Sequence, residues 1–156
     1  MGKTTTKFTG DIVRLTLACQ VEIDKLNVLI AQRRPLNQMA KTLIAAMDEA
    51  CERHMPGGQQ TEGCEERLEK DPIYVRSAAQ LDQINQRIML CDGKIRTAKG
   101  ALRVALKALS DENTKFEVYV KAKKSKWFGS KNSVPAAEAC IKGAKDFIDN
   151  NRPLLQ

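Results

Sequence analysis

The sequence predicts an all-α protein: an antiparallel hairpin of two long helices, coiled-coil-like, with a C-terminal helix packed on it. Three observations predict it. First, Tyr74, Leu81, Ile88, Ile95, Leu102, Leu109 and Phe116 recur every seven residues. Ser77, Ile84, Cys91, Ala98 and Ala105 form an interleaved register, so apolar positions alternate by three and four along residues 72–121. Second, residues 11–54 carry a similar seam of comparable length, and a polar, glycine-containing stretch joins the two. Third, no run alternates β-branched and polar residues between turn signals. Apolar residues make up 42% of the 156-residue chain and aromatics only 4%, which suits helix-on-helix packing better than a sandwich.

Residues 1–9 are polar and read as a tail. Met1-Gly2-Lys3-Thr4-Thr5-Thr6 fits the N-myristoylation pattern, with Gly2 as acceptor, but the pattern is short and common by chance. Gly2-Lys3-Thr4 resembles the end of a phosphate-binding loop, but the first glycine and the preceding strand are missing.

The first arm spans residues 11–54. Ile12, Thr16, Cys19, Ile23, Leu26, Ile30 and Arg33 set its seam. Val13, Leu15, Leu17, Val21, Val28 and Leu29 widen the apolar surface to a second side, as in a helix with two neighbours. Pro35 lacks an amide donor and disfavours helix in the residue before it, which predicts a kink or short break. The seam resumes with Leu36, Ala40, Leu43, Met47, Ala50 and His54.

Met55-Pro56-Gly57-Gly58 ends the arm, and residues 55–71 read as an acidic loop with room for a short helix over 62–70. Asp71 and Pro72 suit the N-cap and first position of the long helix. Gly93, Gly100 and Ser110-Asp111-Glu112-Asn113 are its weak points, and a break there would give a compact four- or five-helix bundle instead. Residues 122–133 form a basic linker. A last helix follows over 134–150, with Val134, Ala137, Ile141, Ala144 and Ile148 as its seam, to fill the second apolar side of the first arm. The whole is read as one helical domain.

Little in this chain suits catalysis. One histidine, His54, lies on a seam position, where packing or capping is its ordinary role. Cys51-x-x-His54 with Cys64 and either Glu52 or Glu65 lacks the second Cys/His pair of a zinc site, so neither metal nor cofactor is expected. Five cysteines without a secretory leader predict reduced thiols and a cytoplasmic protein. Export without a recognisable signal is the alternative, and a Cys51–Cys64 disulfide would then be possible. In the reduced protein the two thiols, which bracket the loop, are expected to react freely with a thiol reagent.

The charge is uneven. Net charge is +7. Residues 94–131 hold eleven bases and three acids, whereas residues 48–71 hold eight acids and three bases. Arg96, Lys99, Arg103 and Lys107 fall within about 80° of one another on a helix, opposite the seam. No acid occurs between Asp92 and Asp111, although a solvated face usually mixes signs. Lys121, Lys123, Lys124, Lys126 and Lys131 surround Trp127 and Phe128. Rings among bases suit an anionic membrane surface or single-stranded nucleic acid. The bland alternatives are a solvated basic face and two rings that pack the hinge of the last helix.

These features predict a non-enzymatic interaction protein. It would act through helix–helix contacts with another protein or with itself along the seam, and be drawn to an anionic partner by its basic face. Nucleic-acid binding and peripheral membrane binding are the two alternatives, and no small-molecule substrate is implied.

Overall fold

The computed structural model describes residues 3–124 and 133–156 and is built from helices, with no strand among the described residues. Helix α1 spans Lys3–His54, α2 Cys64–Lys70, α3 Pro72–Lys124 and α4 Ser133–Asn151. Short 3-10 turns lie at Pro56–Gly58 and Arg152–Leu155. α1 packs against α3 as a helical hairpin, with α4 as the C-terminal helix.

The packing divides into two compact units. One comprises the chain up to Asn27 together with Arg96 onward, and the other is Val28–Ile95. Segments of α1 and α3 contribute to both.

In the first unit three helices share a core. α1 supplies Ile12, Cys19, Ile23 and Leu26; α3 supplies Leu102, Leu106, Leu109, Phe116 and Val120; α4 supplies Ala137, Ile141, Ala144 and Ile148. Leu102, Leu109 and Phe116 are fully buried, as the heptad register requires when a third helix closes over it. Polar ties fix α4 on α3. Asn113, buried in the core, donates from Nδ2 to the carbonyl of Ile141 at 3.1 Å. Lys145 reaches Glu117 at 3.0 Å, and Lys124 reaches Glu138 at 3.0 Å. The Lys145 contact leads the causes that hold Glu117 below its usual carboxylate range.

In the second unit two long helix segments pack around Leu36, Ala40, Ile84 and Cys91, flanked by half-buried Leu43, Leu81, Ile88 and Ile95. Arg33 donates to both carboxylate oxygens of Asp92, and the Cys91 thiol donates to the carbonyl of Leu29 at 3.5 Å.

Two boundaries differ from the sequence expectation, and the weak points named in the long helices do not end them. Residues 3–9 are not a tail: α1 begins at Lys3. Phe8 stacks on Phe116, ring centroids 5.0 Å apart, and lies 5.4 Å from Tyr119, so aromatic packing anchors the first turns. Pro35 lies inside α1 without ending it. It is exposed, so the carbonyl it leaves without an amide faces water, while Leu36 and Ala40 beside it are buried. α3 passes through Gly93, Gly100 and Ser110–Asn113 unbroken. Asn113 belongs to the α3–α4 contact and does not end the helix. α3 extends to Lys124, so Ala122–Lys124 are helical and not linker. The acidic loop contains α2, within the 62–70 span expected for a short helix, and Gly57, Gly58 and Gly63, at φ +63°, +77° and +75°, make the turns around it.

One packing expectation holds only in part. Of the six residues read as the second apolar side of α1, Leu15 and Leu29 are half-buried. Val13, Leu17 and Val21 remain 57%, 62% and 51% exposed.

Candidate interaction surface

The chain's net positive charge lies in the first unit. That unit holds seventeen lysines and arginines against nine carboxylates, a balance of +8, and Val28–Ile95 holds nine against ten, a balance of −1. Four of the first unit's bases, Arg96, Lys99, Arg103 and Lys107, share one face of α3. This face flanks the buried seam of Leu102, Leu106 and Leu109 rather than opposing it: at 100° per residue Arg96, Arg103 and Lys107 lie about 90–135° round from the seam and Lys99 only about 55°.

The four residues predicted for this face do not behave alike. Arg96 and Arg103 are exposed and make no ion pair with any described residue. Two helical turns separate them, about 10 Å. Lys107 is exposed but pairs with Asp111 at 2.9 Å. Lys99 is half-buried and donates to the carbonyl of Gln156 at 2.9 Å, so it ties down the C-terminal turn. The same-sign stripe is therefore partly neutralised within its own unit. Gly100 lies between the two free arginines, and a Cβ added there would meet no atom within 4 Å. Val104, next to Arg103, is 71% exposed.

Of the basic residues expected to continue this surface, Lys121 pairs with Glu117 at 3.5 Å and Lys124 with Glu138, and Lys123 is half-buried on α3. Lys126, Trp127, Phe128 and Lys131 lie outside the described residues, as does Gly2.

The second unit holds a tighter cluster where α1 ends and α3 begins. Asp71 Oδ1 accepts from the amides of Ile73, at 2.9 Å, and Tyr74, at 3.3 Å, as the predicted N-cap of α3. Its Oδ2 accepts from His54 Nε2 at 2.8 Å and from Arg53 at 3.2 Å. The His54 hydrogen bond first, then Arg53 and the two amides, bring the Asp71 carboxyl down to about 2. His54 thus ties the end of α1 to the start of α3. Arg67 holds the loop from the other side, donating to the carbonyl of Glu62 and to the Thr61 hydroxyl.

Cys51 and Cys64 form no disulfide: both are free thiols, Cys51 half-buried and Cys64 buried at the start of α2. The expected accessibility of Cys64 fails because the helical turn it starts packs inward.

Sequence reasoning missed three contributors. Phe8 lies four residues before Ile12 and Thr5 three before Phe8, so the seam extrapolated backwards reaches both; the polar composition of the segment hid it. Asn113 falls on the heptad register between Leu106 and Val120, a polar residue at a core position.

Comparison with protein-family models, curated proteins and solved structures yields no match. No helix among the described residues is long and apolar enough to cross a membrane.

Proposed function

We propose that this chain is a non-enzymatic helical interaction protein that engages an anionic partner through the basic face of α3. One observation carries the reading. A unit with a balance of +8 presents Arg96 and Arg103 to solvent, two turns apart, with no carboxylate paired to either. Lysines and arginines on a stable helix are commonly matched by acids at i+3 or i+4, which removes most of their reach. Elsewhere in this unit carboxylates pair with Lys107, Lys121 and Lys142 four residues away on the same helix, and with Lys124 and Lys145 from the neighbouring helix. Two guanidiniums left free can each hold a phosphate or carboxylate by two parallel hydrogen bonds.

Retention on heparin, duplex DNA binding and sedimentation with vesicles rich in phosphatidylserine, each across a salt series, test the reading. The R96E/R103E variant should lose most of the retention on heparin. If DNA is the partner class, the slope of log affinity against log salt should fall by about two. A blue shift of Trp127 fluorescence on vesicles, without DNA binding, favours the membrane alternative. Equal elution of wild type and variant at every salt refutes the role given to this face.

A further inference from the structure

The seam of α1 lies inside the molecule, so copies of the chain cannot associate along it. The opposite side of the same helix is another matter. Val13, Leu17 and Val21 recur every fourth residue and all stand more than half exposed. On a helix they fall within about 80° of one another, on the side away from Ile12, Cys19, Ile23 and Leu26. A single exposed aliphatic residue is ordinary, but three aligned over two turns form a stripe. Helix propensity does not account for it, since valine is a poorer helix former than the lysine, glutamate or alanine that a solvated face would carry. α4, the one element expected to cover this side, leaves these three residues exposed.

We infer that this face of α1 is where a second copy of the chain docks, antiparallel, about a twofold axis midway between Leu17 and Val21. Charge complementarity selects that occupant. Arg14 and Asp24 are both exposed, carry opposite charges, and lie five residues on either side of the midpoint. In an antiparallel copy centred there, Leu17 of each chain meets Val21 of the other, and Arg14 of each comes level with Asp24 of the other. A twofold interface requires this self-complementarity: if residue i meets residue j, then j must meet i. A parallel copy in register would oppose Arg14 to Arg14 and Asp24 to Asp24. The local partners leave both groups available. Asp11 holds Arg14 only at 3.7 Å, with the Arg14 side chain 69% exposed, and Asp24 accepts one bond, from Gln20 at 2.9 Å.

This inference rests on the reading of the chain as a helix-interaction protein but uses a different helix from the basic face. Three aliphatic side chains per copy make a small contact, below the size of a stable interface, so the dissociation constant should be on the order of 100 µM. Sedimentation velocity in reductant, from about 10 µM to about 1 mM, tests it. Wild type should shift from monomer to dimer across that range. L17E, at an exposed position, should keep its helical circular dichroism and remain monomeric throughout. R14D and D24R should each weaken association about fivefold or more, and R14D/D24R should recover to near the wild-type value. A wild type monomeric throughout, an L17E variant that still dimerises, or a double variant no better than the singles would each overturn the inference. Heparin retention of L17E separates the two readings: it should be unchanged whether or not the dimer forms, because Arg96 and Arg103 are untouched.

Discussion

Replacing Gly100 by alanine tests whether α3 runs unbroken through the middle of its length. Gly100 lies in the interior of α3, and a Cβ built on it meets nothing within 4 Å. The added methyl therefore neither clashes nor packs, and what remains is the backbone term. Glycine in a helix interior is about 1 kcal/mol less favourable than alanine, because the unfolded chain gives up more freedom. G100A should accordingly stabilise the protein by about 1 kcal/mol. For a chain of this size that is a rise of about 3 °C in midpoint. Gly63 supplies the opposite control. Its φ of +75° is a conformation that L residues adopt only with strain, so G63A should destabilise by about 1 kcal/mol although a Cβ meets only the far end of Arg67, at 3.4 Å. Thermal and urea unfolding followed at 222 nm, with both variants beside wild type, reads the two signs. A G100A protein that is no more stable, or less so, would refute an unbroken helix at this point and favour a break there.

Three further outcomes follow from the side-chain geometry. Asn113 is buried with its Oδ1 unpartnered among the described residues, so N113L, of similar size, should be neutral or stabilise by up to about 1 kcal/mol, whereas N113A, which opens a cavity and loses the bond to Ile141, should cost about 2 kcal/mol in urea unfolding. The Asp71 carboxyl titrates at about 2 in the folded chain, below its ordinary 3.8, so its stabilising contribution is complete above that ordinary value and is lost as pH falls from there through about 2. The melting midpoint of wild type should therefore drop more steeply between about pH 5 and pH 2 than that of D71N, which retains a capping side chain without the charge; parallel curves would refute the coupling. In a timed maleimide reaction on the native protein Cys51 should label first, and Cys64, with Cys19 and Cys91, at least about tenfold more slowly; equal rates for Cys51 and Cys64 would mean that α2 opens readily.

Much of the fold was legible because helices leave a period in the sequence. The heptad positions from Tyr74 to Phe116, the Asp71-Pro72 start of α3 and the small-residue seam of α4 all read correctly, since each depends on residues close together along the chain. Where local signals pointed against helix, contacts from elsewhere in the chain decided. Polar composition at residues 3–9, Pro35 within α1 and Ser110–Asn113 in α3 each argue locally against helix. Phe8 on Phe116, the buried Leu36 and Ala40, and Asn113 on Ile141 overrule them from elsewhere in the chain. The basic stripe was legible as a position on a helix, but not in its strength. Pairing of Lys107 with Asp111 could be anticipated from the i, i+4 spacing, whereas the turning aside of Lys99 to Gln156 required the folded chain.

By itself, then, the sequence determined that the chain is helical, where its long arms lie, which side of each arm is buried and where the net charge concentrates. These are properties of periodicity and composition, which short-range geometry converts directly into structure. Only the tertiary structure decided which apolar residues stay uncovered, which cations keep their charge free, and how the single histidine is used. Those outcomes depend on which residues, distant in sequence, meet. The uncovered stripe at Val13, Leu17 and Val21 and the free arginines at 96 and 103 are what remains after those meetings are made.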